Sequence, residues 1–299
     1  MFDCESTGSL VTKDQVSPPS DEDEVPEAAR GLSEHEQSKV REAQRPRAPV
    51  VYEIIRNEGE SELRRPFASL WWSGVAAGIS IGFSFITPAA LAASLPQSDW
   101  KPLIAKLGYP VGFIIVILGR QQLFTENVLT AVLPIISRRK VSWLLSMFRL
   151  WGIVLGANVA GCLVFGAAVA LLPVITNDVD SELAKLVDNL MTNTPWQMFA
   201  KGIGAGWIIA ALVWIIASTE GMDFFVIGLL VYLIALFNFT HIVAGSTEVL
   251  YGWFTGLVTL NQAAFKFFLP TLAGNVFGGT VLFSVLSYGQ VREEISANR

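Results

Sequence analysis

The sequence is short of several things. It has two cysteines, Cys4 and Cys162, and two histidines, His35 and His241, in 299 residues. A disulfide framework is therefore excluded, and no spacing fits a metal site. Charge is scarce: 16% of residues are Asp, Glu, Lys or Arg, against roughly 25% in ordinary soluble proteins. The deficit is uneven. Residues 1–66 hold 15 of the 26 acids and 9 of the 21 basic residues. The remainder carries 11 acids and 12 basic residues, together with all nine tryptophans. Such a body cannot cover a water-facing surface with polar groups, so a soluble globular enzyme is excluded. There is no basic stripe for nucleic acid. No nucleophile–base pair, metal-ligand cluster or phosphate loop appears, so neither an enzyme nor a cofactor is expected.

What is present is a charged tail and six apolar blocks. Residues 1–48 are rich in Asp, Glu, Ser, Pro and Gln, a composition that predicts a disordered tail. No signal peptide is expected at the N-terminus. Residues 49–66 read as an amphipathic interfacial segment, with Val50, Val51, Ile54 and Ile55 on its apolar side, or as a plain linker. The body, 67–291, contains blocks at 67–95, 109–136, 141–175, 199–219, 224–260 and 267–291. Each reaches the roughly 20 residues needed to cross a bilayer core. The expectation is an all-α membrane protein of six spans with a short C-terminal tail, 292–299. Arg138, Arg139 and Lys140 form the densest short-loop basic cluster, and Arg64 and Arg65 precede span one. By the positive-inside rule both termini are cytoplasmic, and the acidic segment around Asp178 to Asp188 is external.

The two halves resemble each other. Ser73-Gly-Val-Ala-Ala-Gly78 matches Lys201-Gly-Ile-Gly-Ala-Gly206, and Gly156-Ala-Asn-Val-Ala-Gly161 matches Ala273-Gly-Asn-Val-Phe-Gly278. An odd number of spans separates equivalent elements, so the repeats run in opposite directions, as in many channels and transporters. Small residues at this spacing let helix backbones approach closely. Spans two and five form the remaining pair, and both look broken: polar stretches at 119–127 and 238–248 interrupt apolar arms. Non-helical backbone at membrane depth implies burial in protein or an adjoining wet cavity.

These residues resemble the formate/nitrite transporter family. Leu123-Phe-Thr-Glu-Asn127 is similar to its Leu-Phe-Thr-Gly-Asn signature, and His241-Ile-Val-Ala-Gly245 to its His-Ser-Val-Ala-Asn segment. Asn158 and Asn275 fall in its Gly-Asn pairs, and Arg149-Leu-Trp151 takes the place of a Lys-x-Trp. The similarity covers about residues 50–290. The long tail and the motif variants point to the YfdC-like branch. The resemblance implies an aquaporin-like protomer in the bacterial inner membrane and a homopentamer with one pore per protomer. It implies permeants that are small monovalent anions or their neutral acids: formate, nitrite or short monocarboxylates. It places His241, Thr125, Leu123 and Phe124 at the pore, with constrictions that include Phe113, Ile234 and Leu123.

The chemistry is coherent by itself. An anion is costly to desolvate in a dry apolar ring, whereas its neutral acid passes. Imidazole is the side chain suited to exchange the proton near neutral pH. His241 otherwise satisfies a neighbouring backbone carbonyl. Thr125 either bonds a permeant oxygen or caps the second half of span two. Asn127, Asn158 and Asn275 are expected to position the breaks. The departures are Glu126 in place of a small residue, Gly245 in place of Asn, and Thr240 in place of Glu. A Glu in a membrane domain needs a partner or water. Glu126 is expected to pair with Arg120 or Arg149, or else to face the pore and weaken anion entry. Glu248, beyond the second break, is a further candidate. Arg149 alternatively binds a lipid head group or draws in anions. Two other readings stay open: a neutral-solute or cation pore, from Glu126 and Gly245, and a scaffold whose acidic tail recruits a partner.

Overall fold

The computed structural model describes residues 32–44, 46–219 and 221–297, which divide into one unit up to residue 44 and a second from 45 onward. Most of the tail read as disordered, 1–31 with Cys4, lies outside the described residues, as does Arg299. In the first unit Glu34–Ala43 is helical (α1). A local cause offsets its polar composition. Ser33 Oγ accepts the Glu36 N–H while the Glu36 carboxylate takes the Ser33 N–H at 2.8 Å, a reciprocal cap.

The second unit opens with α2, Ala48–Leu63, which starts on a proline in its first turn. Its buried face is Val51, Tyr52, Ile55, Gly59 and Leu63. Val50 and Ile54 point outward, so only half of the expected apolar side is buried. Tyr52 meets Ser137 Oγ at 2.8 Å. Glu60 accepts two bonds from Arg138, at 2.8 and 3.0 Å, and also pairs with Arg56. Arg64 and Arg138 both lie over the Trp143 ring. The basic residues before span one and after span two therefore share one end of the molecule.

The apolar blocks follow. They are α3 and α4 (Phe67–Ile81, Phe83–Ser94), α5 and α6 (Lys101–Ala105, Pro110–Leu118), α7 and α8 (Phe124–Thr130, Val132–Arg138) and α9 (Val141–Leu171). Then come the amphipathic α10 (Asn177–Met191), α11 (Pro195–Ile216), α12 (Asp223–Leu236) and α13 (Ile242–Phe254). The last are α14 (Leu269–Val276), between π-helical stretches Gln262–Phe268 and Phe277–Ser284, and α15 (Val285–Ala297). Every described element is helical or a turn. Five helical stretches are long and apolar enough to cross a membrane, and only 33–44% of each apolar window is buried. The outward residues are apolar too, among them Trp72, Phe148, Phe225 and Leu229. A surface of that kind is matched to lipid or to a partner subunit. The block expected as span five is divided into the shorter α12 and α13.

Both breaks form the same way. Arg120 stands two residues past the end of α6 and Asn238 two past the end of α12, each at φ 51° in the left-handed region. The following N–H groups reach back five residues, Gln121 to the Val116 carbonyl and Phe239 to the Ile234 carbonyl. This is the Schellman way of closing a helix, normally built on glycine. Extended backbone then leads to Leu123 and His241, which begin α7 and α13.

The matched small-residue segments make matching contacts. α3 lies against α9 and α11 against α14. A Cβ at Gly78 would sit 2.1 Å from the Asn158 carbonyl oxygen, and one at Gly206 2.3 Å from that of Asn275. Only glycine permits those crossings.

Candidate functional site

Each break is pinned by one buried asparagine. Asn158 Oδ1 accepts the Phe124 N–H at 2.9 Å, and its amide donates to the carbonyls of Gln122 (2.8 Å) and Gly74 (2.9 Å). Asn275 does the same for Ile242 N–H (2.8 Å), Thr240 carbonyl (2.9 Å) and Gly202 carbonyl (2.9 Å). Both side chains are fully buried, and each amide makes three bonds. The free backbone groups that a break creates are thereby satisfied. Ser73 Oγ takes the Gln122 N–H, and Asn127 reaches the Gln122 side chain while its carbonyl accepts Trp151 Nε1–H.

The wiring brings His241 and Thr125 together. Thr125 Oγ1 lies 2.8 Å from His241 Nε2, and both residues are almost fully buried. Nδ1 accepts the Ala244 N–H at 3.2 Å, so His241 caps α13. A ring nitrogen that accepts a backbone N–H carries no proton. The neutral ring therefore holds its proton on Nε2 and donates it to Thr125. Phe113 stands edge-on to the imidazole, with centroids 4.9 Å apart. Thr125 is not the cap of α7, since Leu123 is in that position and Asn158 supplies the acceptor.

The other expected residues divide. Leu123, Phe113 and Ile234 are buried. Phe124 is buried against Trp151. The ion pair expected on Glu126 does not form. Arg120 is mostly exposed and lies 3.4 Å from Glu58, while Arg149 bonds the Arg65 carbonyl. A left-handed residue at a helix end aims its side chain out of the break, and α2 supplies a nearer carboxylate. Among the described residues no cation stands within ion-pair distance of Glu126 or Glu248.

A cavity of about 710 Å³ leads to His241 from the end of the molecule that carries α10. Its wall includes Glu248, Gly245 and Phe267, whose ring occupies the space beside Gly245. It also includes Lys101, Lys106, Lys185 and Lys201, which sequence reasoning passed over because three lie in connections between blocks and Lys201 near a block start, like ordinary flanking charges. Glu182 binds Lys101 and Lys185, Lys106 binds Asn238, and Lys201 binds Asn193. Lysine charge therefore rims the cavity, and a neutral donor stands at its floor. A positively charged rim of this kind raises the local concentration of anions. Among the described residues there is no group of three or more metal-ligating side chains.

A family model described as formate/nitrite transporter matches residues 49–289. The chain is 41% identical over 253 residues to inner membrane protein YfdC of Escherichia coli (strain K12), covering 85% of this chain and 82% of that protein. Among solved structures it resembles one titled FNT family ion channel, with TM-score 0.66, 20% identity, and coverage of 81% of this chain and 96% of the other. Another, titled pentameric formate channel with formate bound, gives TM-score 0.66, 21% identity, and coverage of 76% and 98%. The chain belongs to the formate/nitrite transporter family.

Proposed function

We propose that this protein conducts small monovalent anions, or their neutral acids, across a bacterial inner membrane, formate and short monocarboxylates foremost. The observation that carries this reading is His241, donating from Nε2 to Thr125 and faced by Phe113, at the floor of a lysine-rimmed cavity. The permeant enters as an anion, takes a proton, and passes the buried apolar residues Phe113, Leu123 and Ile234 as the neutral acid. Desolvating the bare anion there costs many kcal/mol. His241 exchanges its proton with the permeant at Nε2. In a full exchange the neutral acid's own proton passes through cavity water to Nδ1 as its carboxylate takes Nε2–H, which breaks the Ala244 bond at a cost of about 1 kcal/mol. The protein works as a homopentamer with a pore in each protomer, a reading that the solved pentameric formate channel supports. Both termini are cytoplasmic, which the shared basic end formed by Arg64 and Arg138 supports.

Labelled formate uptake into proteoliposomes tests the proposal. Wild type is expected to exceed protein-free vesicles severalfold, and His241→Asn to abolish the excess. Uptake equal to empty vesicles refutes the reading. A neutral-solute or cation pore is the second reading, favoured by the half-buried, unpaired Glu126. Ammonium or glycerol flux without formate flux would select it.

A further inference from the structure

Among the described residues Glu248 is the one charged side chain of the cavity wall with neither an ion pair nor a side-chain hydrogen bond. It lies on α13, seven residues beyond His241, and so about 10 Å along the helix from it. Both residues line the same cavity. The other charges there are engaged: Lys101 and Lys185 with Glu182, Lys106 with Asn238 and the Leu236 carbonyl, Lys201 with Asn193. The elements packed on α13 add little. α3 and α4 carry no charge, and α9 has only Arg149, which bonds the Arg65 carbonyl. Asp180 of α10 is bonded by the Tyr251 hydroxyl, and Asp178 and Asp188 of α10, Glu126 of α7 and Lys266 of the π-helical stretch are outside the cavity wall. Tyr109 is the remaining titratable neighbour in the wall.

The histidine leaves a gap in the chemistry. A neutral imidazole with Nδ1 committed to Ala244 has no spare proton to give. It donates a hydrogen bond and can release Nε2–H only if another proton arrives. An acid whose proton affinity resembles that of the permeant transfers with the least barrier. A side-chain carboxyl and a small monocarboxylate are such a pair. A lone carboxylate among apolar helices is costly, so Glu248 suits a cycle between acid and carboxylate.

We propose that Glu248 is the proton donor of the cavity: it protonates small monocarboxylates on their way to His241, so that they arrive there as neutral acids. The Glu248 O–H bond breaks, an O–H bond forms on the permeant carboxylate, and the Glu248 carboxylate regains a proton from bulk water through the open cavity. The step rests on the weak-acid reading above.

The test is formate uptake into proteoliposomes as a function of pH on the cavity side, for wild type, Glu248→Gln and Glu248→Asp. Glu248→Gln keeps the shape and the hydrogen bonding of the acid but holds no transferable proton. Its uptake near neutral pH is expected to fall about tenfold or more, with the pH dependence flattened. Glu248→Asp is expected to restore both in part. Unchanged or faster uptake in Glu248→Gln, with pentamer yield as in wild type, overturns the proposal, because faster uptake marks a mere electrostatic barrier. If Glu248→Gln fails to assemble, the Asp variant decides: reduced uptake that keeps its dependence on pH supports donation, and uptake equal to wild type, or lost in an assembled pentamer, overturns it. Absence of formate uptake by wild type at every pH refutes the transport reading instead, so the two failures are distinct.

Discussion

Replacing Asn158 by alanine removes three hydrogen bonds of 2.8–2.9 Å from a fully buried site. The Gly74 carbonyl keeps its partner within α3. The Phe124 N–H and the Gln122 carbonyl do not, since both belong to the break. Each buried group left unpaired costs about 1–3 kcal/mol, which gives about 2–6 kcal/mol. Polar bonds in membrane proteins fall toward the low end, about 0.6–1.7 kcal/mol each, so about 2–3 kcal/mol is the expected loss. Asn275→Ala should cost a similar amount, because it strands the Ile242 N–H and the Thr240 carbonyl. Denaturation of the purified protein in mixed micelles measures this, with Trp151 as reporter because its ring donates to Asn127 beside the first break. Formate flux should fall with stability, since the breaks position Thr125 and His241. A loss below about 0.5 kcal/mol in both variants, with flux intact, would refute the claim that these amides hold the pore.

Gly78→Val and Gly206→Val force a Cβ onto backbone carbonyl oxygens 2.1 and 2.3 Å away, and each is expected to cost more than about 3 kcal/mol, read as lost folded yield. Glu60 makes α2 docking sensitive to acid. The Arg138 hydrogen bonds, with Arg56 and Arg64 nearby, hold its carboxyl below the ordinary carboxylate range against the opposing effect of burial. The folded value is depressed, so this stabilisation is present at neutral pH and is lost as pH falls through the folded value. Thermal unfolding across pH 3–7 should show the loss, and Glu60→Gln should be less stable at neutral pH and less sensitive to acid than wild type. Phe113→Ala removes the ring beside His241 and should admit larger monocarboxylates, measured as the ratio of lactate to formate flux.

Much of this was legible in the sequence because membrane helices have few ways to satisfy backbone and to pack. Small residues at matched spacing marked the crossings at Gly78 and Gly206, and polar residues in apolar blocks marked the two breaks. The paired asparagines stood out for the same reason. The turns themselves were not legible, because Arg120 and Asn238 occupy a left-handed position that glycine usually fills. The ion pair on Glu126 was misjudged because sequence distance favoured Arg120, whereas α2 folds back and presents Glu58. The cavity lysines come from α5, α10, α11 and the turn after α5, and only the tertiary fold makes them one wall. Thr125 read equally as a cap and as a permeant contact, and its bond to His241 depends on two breaks meeting.

The central claim is that the permeant crosses the Phe113–His241 region as a neutral acid. Simultaneous recording of formate uptake and internal pH in proteoliposomes, with the membrane potential clamped at several values, tests it directly. The account predicts one proton entering per formate, uptake independent of potential, and loss of both signals in His241→Asn. Formate uptake that follows the potential and leaves internal pH unchanged would contradict it.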